Sequence, residues 1–286
     1  MTAPTSWDVA VIGAGIAGLT AARTCAERGL RTVAYDALAP GGHLINLGRV
    51  SDYPGAPTTG PELAGALLEQ AMACGVEIAY DEVTGLAGGP PWSLTTADGP
   101  VAARAVVVAT GVSAGRLDVG GADAWVGRGL SECASCDGPL HVGRKVVVAG
   151  GDEWAAREAV ELAGIAAHVT VVSPAPPSWS PSGAERLAAL APVDVRTGVD
   201  VVALEGDATL AGVRLGDGEL LPASGVFVYT GRAPRRELLD GLPDSAAALW
   251  IAGDVAAPDD GSTPYLLTAA ADGLRAGLAV SAHLRP

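Results

Sequence analysis

The chain has 286 residues, a net charge of −14, 39 glycines and four cysteines. That length suffices for two domains of ordinary size, and the acidic balance excludes nucleic-acid binding, which needs basic surface. Four cysteines in a chain this long do not make a disulfide framework. The apolar stretch Val9 to Ala22 has no basic run before it and is too short to span a bilayer. The uncharged stretch Ile165 to Ala184 is broken by Pro174, Pro176, Pro177 and Pro181. A soluble, cytoplasmic protein with no membrane or nucleic-acid partner is expected.

In chain order, Asp8 to Ile12 reads as a buried strand, followed by Gly13-Ala14-Gly15-Ile16-Ala17-Gly18 and a helix from Leu19 to Arg28 stopped at Gly29. Arg31 to Tyr35 is the next strand, ending at Asp36. A G-x-G-x-x-G between strand and helix, with an acid about 20 residues on, is a dinucleotide-binding fingerprint. Gly13 makes the turn, Gly15 lets a pyrophosphate approach, Gly18 lets the helix pack on the sheet, and Asp36 can accept from a ribose. A helical stretch lies between Gly55 and Gly75, and strands follow at Trp92–Thr96 and Val101–Ala109, the latter leading into Thr110-Gly111.

Cys133-Ala134-Ser135-Cys136 comes next, with Asp137 directly behind it. Two cysteines at this spacing can close a small, reducible disulfide, one thiolate can be held at lowered pKa, and the acid can move protons. The same spacing is half a zinc site, but the chain has no second Cys-x-x-Cys and no His-x-x-x-His to complete one. Cys25 and Cys74 fall in helical stretches and read as core residues. A second strand–turn–helix unit runs through Arg144–Ala149, Gly150-Gly151 and a helix from Asp152 to Ala163, with its second strand at Val169–Val172. A Pro/Ser stretch, short β-like runs to Tyr229, a strand at Ala248–Ala252, Gly253-Asp254-Val255 and an alanine-rich helix from about Thr268 complete the chain. The expected fold is α/β, with two nucleotide-binding (Rossmann-like) domains, the second inserted in the first. The outer domain takes residues 1–114 and 240–286, and the inserted one takes 115–239.

Taken together, the first fingerprint, Gly41-Gly42-His43-Leu44 with Asp52-Tyr53-Pro54-Gly55, Ala109-Thr110-Gly111, Gly127-Arg128-Gly129-Leu130-Ser131 before the cysteine pair, Gly253-Asp254-Val255 and Thr268-Ala269-Ala270-Ala271-Asp272-Gly273 resemble the low-molecular-weight thioredoxin reductase family over nearly the whole chain. The resemblance implies FAD in the outer domain, held by Gly13, Gly15, Gly18, Asp36, Gly42, His43, Leu44, Asn46, Thr110, Gly111, Gly253 and Asp254. It implies a homodimer and a redox-active Cys133–Cys136 disulfide. Cys136 would lie nearer the flavin, Cys133 would exchange with substrate, and Asp137 would move the proton. His43 stands where the family has glutamine, as a flavin partner or a tolerated surface substitution. His141 is close enough in sequence to the pair to help hold a thiolate, and Trp154 and Trp179 read either as packing or as a wall for substrate.

The departures concern the second fingerprint. Where the family has G-x-G-x-x-A, this chain has Gly150-Gly151-Asp152-Glu153-Trp154-Ala155, and the basic run that grips the 2′-phosphate of NADPH becomes Ser173-Pro174-Ala175. A kept cysteine pair with a degraded NADPH site resembles the FAD-dependent dithiol oxidases of gliotoxin, holomycin and romidepsin biosynthesis. The expectation is therefore a dithiol oxidase that closes a disulfide in a small natural-product precursor and passes two electrons to O2, giving H2O2. The alternatives are a disulfide reductase fed by NADPH or ferredoxin, and a flavin redox sensor that does not turn over.

Overall fold

The structure is a computed structural model in which residues 6–50, 53–55, 58–243, 246–256 and 265–285 are described. Asp52 of the expected motif at 52–55 lies outside the described residues. The chain divides into two compact units, Met1–Val112 with Pro234–Pro286, and Ser113–Ala233.

The first unit begins with strand β1 (Ser6–Ile12), helix α1 (Ile16–Ala26) and strand β2 (Thr32–Tyr35). Helix α1 starts directly after Gly15, ahead of the expected Leu19. Helix α2 (Gly60–Ala73) is started by a capping box: the Glu62 amide donates to Thr59 Oγ1 at 3.4 Å, and the Thr59 amide donates to the Glu62 carboxylate at 2.9 Å. Strands β3 (Glu77–Ala79), β4 (Gly85–Gly88), β5 (Trp92–Thr96) and β6 (Gly99–Val108) follow. Val9 to Ile12 and Ala105 to Val108 are buried runs of small apolar residues. That is the pattern of parallel strands covered on both faces, and β1 pairs β6 in parallel. Among the described residues the sheet order is β3-β2-β1-β6-β5-β4.

A short strand, β7 (Val112–Ala114), leads out. The second unit holds β8 (Leu130–Ser131), α3 (Ala134–Asp137), β9 (Lys145–Ala149), α4 (Glu153–Ala163), β10 (His168–Ser173), α5 (Pro181–Ala188) and β11 (Val193–Thr197). It continues with β12 (Val201–Gly206), β13 (Leu210–Leu215), β14 (Leu220–Pro222) and β15 (Gly225–Val228). Its parallel sheet has the order β11-β10-β9-β15-β8. One face carries α4 and α5 over Val146, Val148, Val169, Val171 and Phe227, and the other packs on the antiparallel β12–β14 layer. The structure adds α5 to the Pro/Ser stretch: Ser180 Oγ accepts from the Gly183 amide at 3.0 Å, with Pro181 in the first turn.

Strand β16 (Arg232–Pro234) pairs β7, so the outgoing and returning connections form one small ribbon. The passage between units falls there, at 112/113 and 233/234, a few residues before the expected 114/115 and 239/240. Strand β17 (Leu249–Ile251) joins β6 in parallel, and α6 (Leu266–Leu284) packs along α1. A Cβ at Gly273 would stand 2.1 Å from the Ala17 carbonyl oxygen, and one at Gly277 would stand 2.7 Å from Thr24 Cβ. Those two positions need glycine for the helices to lie this close.

Candidate active site

The first nucleotide loop is built by β1 and α1. Gly13 turns at φ +100°, and a Cβ there would strike the Ala109 carbonyl oxygen at 2.3 Å; at Gly18 it would strike the Gly13 carbonyl oxygen at 1.8 Å. Gly15 is different. A Cβ at Gly15 would meet nothing nearer than Gly42 Cα at 4.0 Å, so the polypeptide itself does not demand glycine. No side chain caps α1, and no acid stands in its first turn. Open space beside an uncapped helix N-terminus fits a pyrophosphate. Asp36 is fixed at the loop: Oδ2 accepts from the Ala14 amide and Oδ1 from the Leu38 amide, both at 3.1 Å. Its remaining lone pairs would serve a ribose.

The other expected cofactor residues divide. The Gly41 amide donates to the Ala14 carbonyl at 2.8 Å, which brings Gly42 against Gly15. Gly253, at φ +78°, places its Cα beside Ala17 in the first turn of α1, and Asp254 follows it. His43 Nε2 donates to the Val112 carbonyl at 3.0 Å, and Asn46 ends the same 3-10 turn half-buried. The Leu44 side chain is 1 % exposed within the core under α1 and α2, so any contact it makes to a cofactor would come from its backbone. The Thr110 hydroxyl donates to the Arg235 carbonyl at 2.6 Å, and the Gly111 carbonyl accepts from the Arg235 amide at 3.0 Å, which ties the returning chain to the end of β6.

The second loop has the same backbone plan and the opposite electrostatics. Asp152 caps α4 with its own carboxylate, Oδ1 accepting from the Ala155 amide at 2.8 Å. Glu153 in the first turn accepts from the Ser180 amide at 2.6 Å and from its hydroxyl at 2.9 Å, with Arg186 at 3.8 Å. The segment after β10 lies back on the loop: the Ser178 amide donates to the Gly151 carbonyl at 2.8 Å, and a Cβ at Gly151 would stand 2.3 Å from Ser173 Oγ. A phosphate at this helix start would face two carboxylates, each worth roughly 4 kcal/mol of repulsion at about 4 Å and an effective dielectric of 20. The residues present do not fit NADPH phosphates.

The cysteine pair sits where β8 turns into α3. Cys133 and Cys136 form a disulfide with a Cα–Cα distance of 5.3 Å. The Cys136 amide donates to Cys133 Sγ at 3.1 Å, a contact that favours negative charge on Cys133 when the bond opens. Asp137 ends α3 half-buried. His141, considered as a thiolate partner, belongs to the core. Its Nδ1 pairs with Ser224 Oγ at 2.9 Å, its ring meets Phe227 edge-on, and burial with the Arg144 charge depresses its pKa against a smaller opposing pull from Asp137. Cys25 is buried between α1 and α6 with its pKa pushed up to about 12 by burial.

Beneath α3 lies a group that the motifs do not announce. The Ala134 amide donates to the Tyr229 hydroxyl at 3.1 Å, and that hydroxyl donates to Glu158 Oε2 at 3.0 Å. The Trp154 indole donates to Glu158 Oε1, also at 3.0 Å. Glu158 is 5 % exposed on the inner face of α4. Burial, reinforced by the Glu161 charge, pushes its pKa up to about 6 despite those two donors. Trp154 therefore packs against Tyr229 and Glu158 and does not stand as a wall for substrate, and Trp179 packs against the same core. The one sequence signal for Glu158 is its register: it falls between Ala155, Ala159 and Leu162 on the apolar stripe of α4.

A dinucleotide loop open to a pyrophosphate, joined to a unit carrying a Cys-x-x-Cys disulfide, defines a flavin-linked disulfide oxidoreductase. The family comparison agrees: residues 7–271 match the pyridine nucleotide-disulphide oxidoreductase family, and the chain belongs to it. A thioredoxin reductase of Treponema pallidum is 31 % identical over 303 residues, covering 98 % of both chains. One from Mycolicibacterium smegmatis is 35 % identical over 249 residues, covering 84 % of this chain and 80 % of that protein. The solved thioredoxin reductase of Lactococcus lactis superposes with a TM-score of 0.90 at 27 % identity, covering 97 % of this chain and 98 % of its own. The cofactor of these thioredoxin reductase relatives is FAD, and the loop at Gly13–Gly18 fits it. Among the described residues no helix is long and apolar enough to cross a membrane.

Proposed function

We propose that this protein exchanges electrons between FAD and a thiol–disulfide partner through Cys133 and Cys136, in the manner of the thioredoxin reductases it is similar to. The observation that carries the reading is the Cys133–Cys136 disulfide with the Cys136 amide on Cys133 Sγ. Bound FAD supplies the two-electron chemistry. In the exchange, a partner thiolate attacks Cys133 Sγ, the protein S–S bond breaks, and Cys136 leaves as a thiolate. The partner's second thiolate then attacks its own sulfur in the mixed disulfide and frees Cys133. The partner loses two electrons and two protons and the protein disulfide gains two electrons; Asp137, directly after Cys136 in the chain, would take a proton. The reverse order reduces a disulfide.

The similarity to thioredoxin reductases favours the reductase direction, with a thioredoxin-like disulfide as the partner. The second loop favours an electron source other than NADPH, because Asp152 and Glu153 stand where phosphates would lie. It also favours a second reading, a dithiol oxidase that takes two electrons from a small dithiol and delivers them to O2. The same resemblance supports a homodimer in the cytoplasm. Stopped-flow mixing at millimolar NADPH, then with reduced ferredoxin, then with dithiothreitol in air, separates these. We expect little bleaching at 450 nm with NADPH. Bleaching by ferredoxin supports the reductase, and continued oxygen uptake with dithiothreitol supports the oxidase. Complete bleaching by NADPH within seconds would overturn the reading of the second loop, and one equivalent of uptake followed by none would indicate a sensor.

A further inference from the structure

We propose that Glu158 is a positioning residue of the Cys133–Cys136 couple, acting on it through Tyr229 and the Ala134 amide; this rests on the cysteine pair being redox-active. The geometry is a continuous chain of hydrogen bonds from the carboxylate, through the Tyr229 hydroxyl, to the amide nitrogen bonded to the carbonyl carbon of Cys133. A buried carboxylate needs a reason to be kept in an apolar layer, and every donor to this one comes from a residue packed around the disulfide helix. The groups facing it are few. Trp154 and Glu161 face it from α4 itself, Tyr229 from the end of β15, and the Ala134 amide from α3. Ser135 of α3 hydrogen-bonds Glu161, and Arg232 lies over the far face of Trp154 at 3.9 Å.

The coupling follows from charge. Opening the disulfide with dithiothreitol breaks the Cys133–Cys136 bond and forms the cyclic dithiothreitol disulfide. Two electrons pass to the protein, and the two dithiothreitol protons are left to distribute between the cysteines and solvent. The reduced pair carries one thiolate at Cys133, held by the Cys136 amide. That new negative charge raises the proton affinity of Glu158, and a charged Glu158 in turn disfavours the thiolate. Reduction therefore draws a proton onto Glu158 in the range where it titrates, and the reactivity of Cys133 carries the titration of Glu158 as a second inflection.

The test uses the full-length, FAD-loaded protein, reduced anaerobically with dithiothreitol and freed of it. Iodoacetamide labelling of Cys133 is followed by peptide mass from pH 5 to 9. The wild type should show two inflections, the lower above pH 6. Glu158→Gln, which keeps an oxygen for Tyr229, should lose the lower inflection and label about fivefold faster at pH 7. Glu161→Gln, which leaves the chain intact, should keep it. Tyr229→Phe removes a donor that stabilises the carboxylate, so the lower inflection should move to higher pH; this variant carries the test if Glu158→Gln does not fold. An unchanged profile in Glu158→Gln or Tyr229→Phe overturns the proposal, as does its loss in Glu161→Gln. A disulfide that dithiothreitol cannot open would instead sink the functional reading, and this one with it.

Discussion

At the scale of single residues, the two cysteines are chemically unequal before any partner arrives. Cys133 is half-buried and accepts the Cys136 amide; Cys136 is the more exposed. With Cys136→Ser, the remaining thiol keeps its stabilising contact and should trap glutathione from glutathione disulfide as a stable mixed disulfide, seen as the mass of one glutathionyl group on the 133 peptide. With Cys133→Ser, the remaining thiol has lost that contact and should trap it at least several-fold more slowly. Equal trapping would remove the asymmetry. Glu158 makes a separate stability prediction. Its folded pKa of about 6 lies above the usual 4.5. The folded state thus binds the Glu158 proton more tightly than the unfolded chain does, and that advantage is lost as pH rises through 6. Denaturant unfolding of Glu158→Gln and wild type should show the variant gaining about 1.5 kcal/mol on wild type between pH 4.5 and 7. A constant difference would count against a strained carboxylate. The motif residues Gly13, Gly15, Gly18 and Asp36 were legible because each is tied to its spacing. Glu158 and Tyr229 were not, because their partnership joins positions far apart in the chain and only the folded sheet brings them together.

At the scale of elements, the two strand–turn–helix units make a natural comparison. Both begin with a buried valine-rich strand and a positive-φ glycine. One leaves its helix start open at Gly15, while the other closes it with Asp152. The open site should fail if it is made to resemble the closed one. Gly15→Asp meets no neighbour nearer than 4.0 Å at its Cβ, so the chain should fold normally. FAD retention, read by flavin fluorescence after heat release, should fall by about 100-fold or more. Near-wild-type retention would show that no pyrophosphate rests there. In the other direction, Asp152→Gly costs only about a few tenths of a kcal/mol, since glycine is itself a tolerated N-cap, and should leave the melting temperature nearly unchanged without granting rapid reduction by NADPH, since Glu153 and the segment at Ser178 stay in place. Strands and helices with strong periodicity were readable from sequence. Helix α5 was harder, since its prolines suggested a loop, although Ser180-Pro181 is the dipeptide that starts a helix. The inward turn of the Leu44 side chain was hidden for a related reason: a motif fixes which residues are near a site but not which way each side chain turns.

At the scale of the molecule, each unit has its own buried core, with Val9, Leu19 and Val107 in one and Val148, Leu162 and Phe227 in the other. The chain crosses between them only twice, at 112/113 and 233/234. The excised segment 113–233 should therefore fold alone, with cooperative thermal unfolding and a Cys133–Cys136 disulfide that forms in air. A molten or aggregated product would mean that the insert depends on its host. The electron donor and the substrate are whole-molecule properties of another kind. They depend on what approaches the cysteine pair from outside, and so neither motif spacing nor the packing inside each unit encodes them.

The close seating of α6 on α1 through Gly273 and Gly277 has a consequence for biosynthesis. The nucleotide loop leaves the ribosome ahead of the inserted unit, yet the helix that braces it is synthesised after that whole unit. The insert can thus complete its own fold while the host is still a partial sheet, with the apolar flank of α1 uncovered. The nucleotide loop gains its full bracing only once translation has passed α6. The unit that carries Cys133 and Cys136 is therefore translated in full before the brace of the nucleotide loop exists.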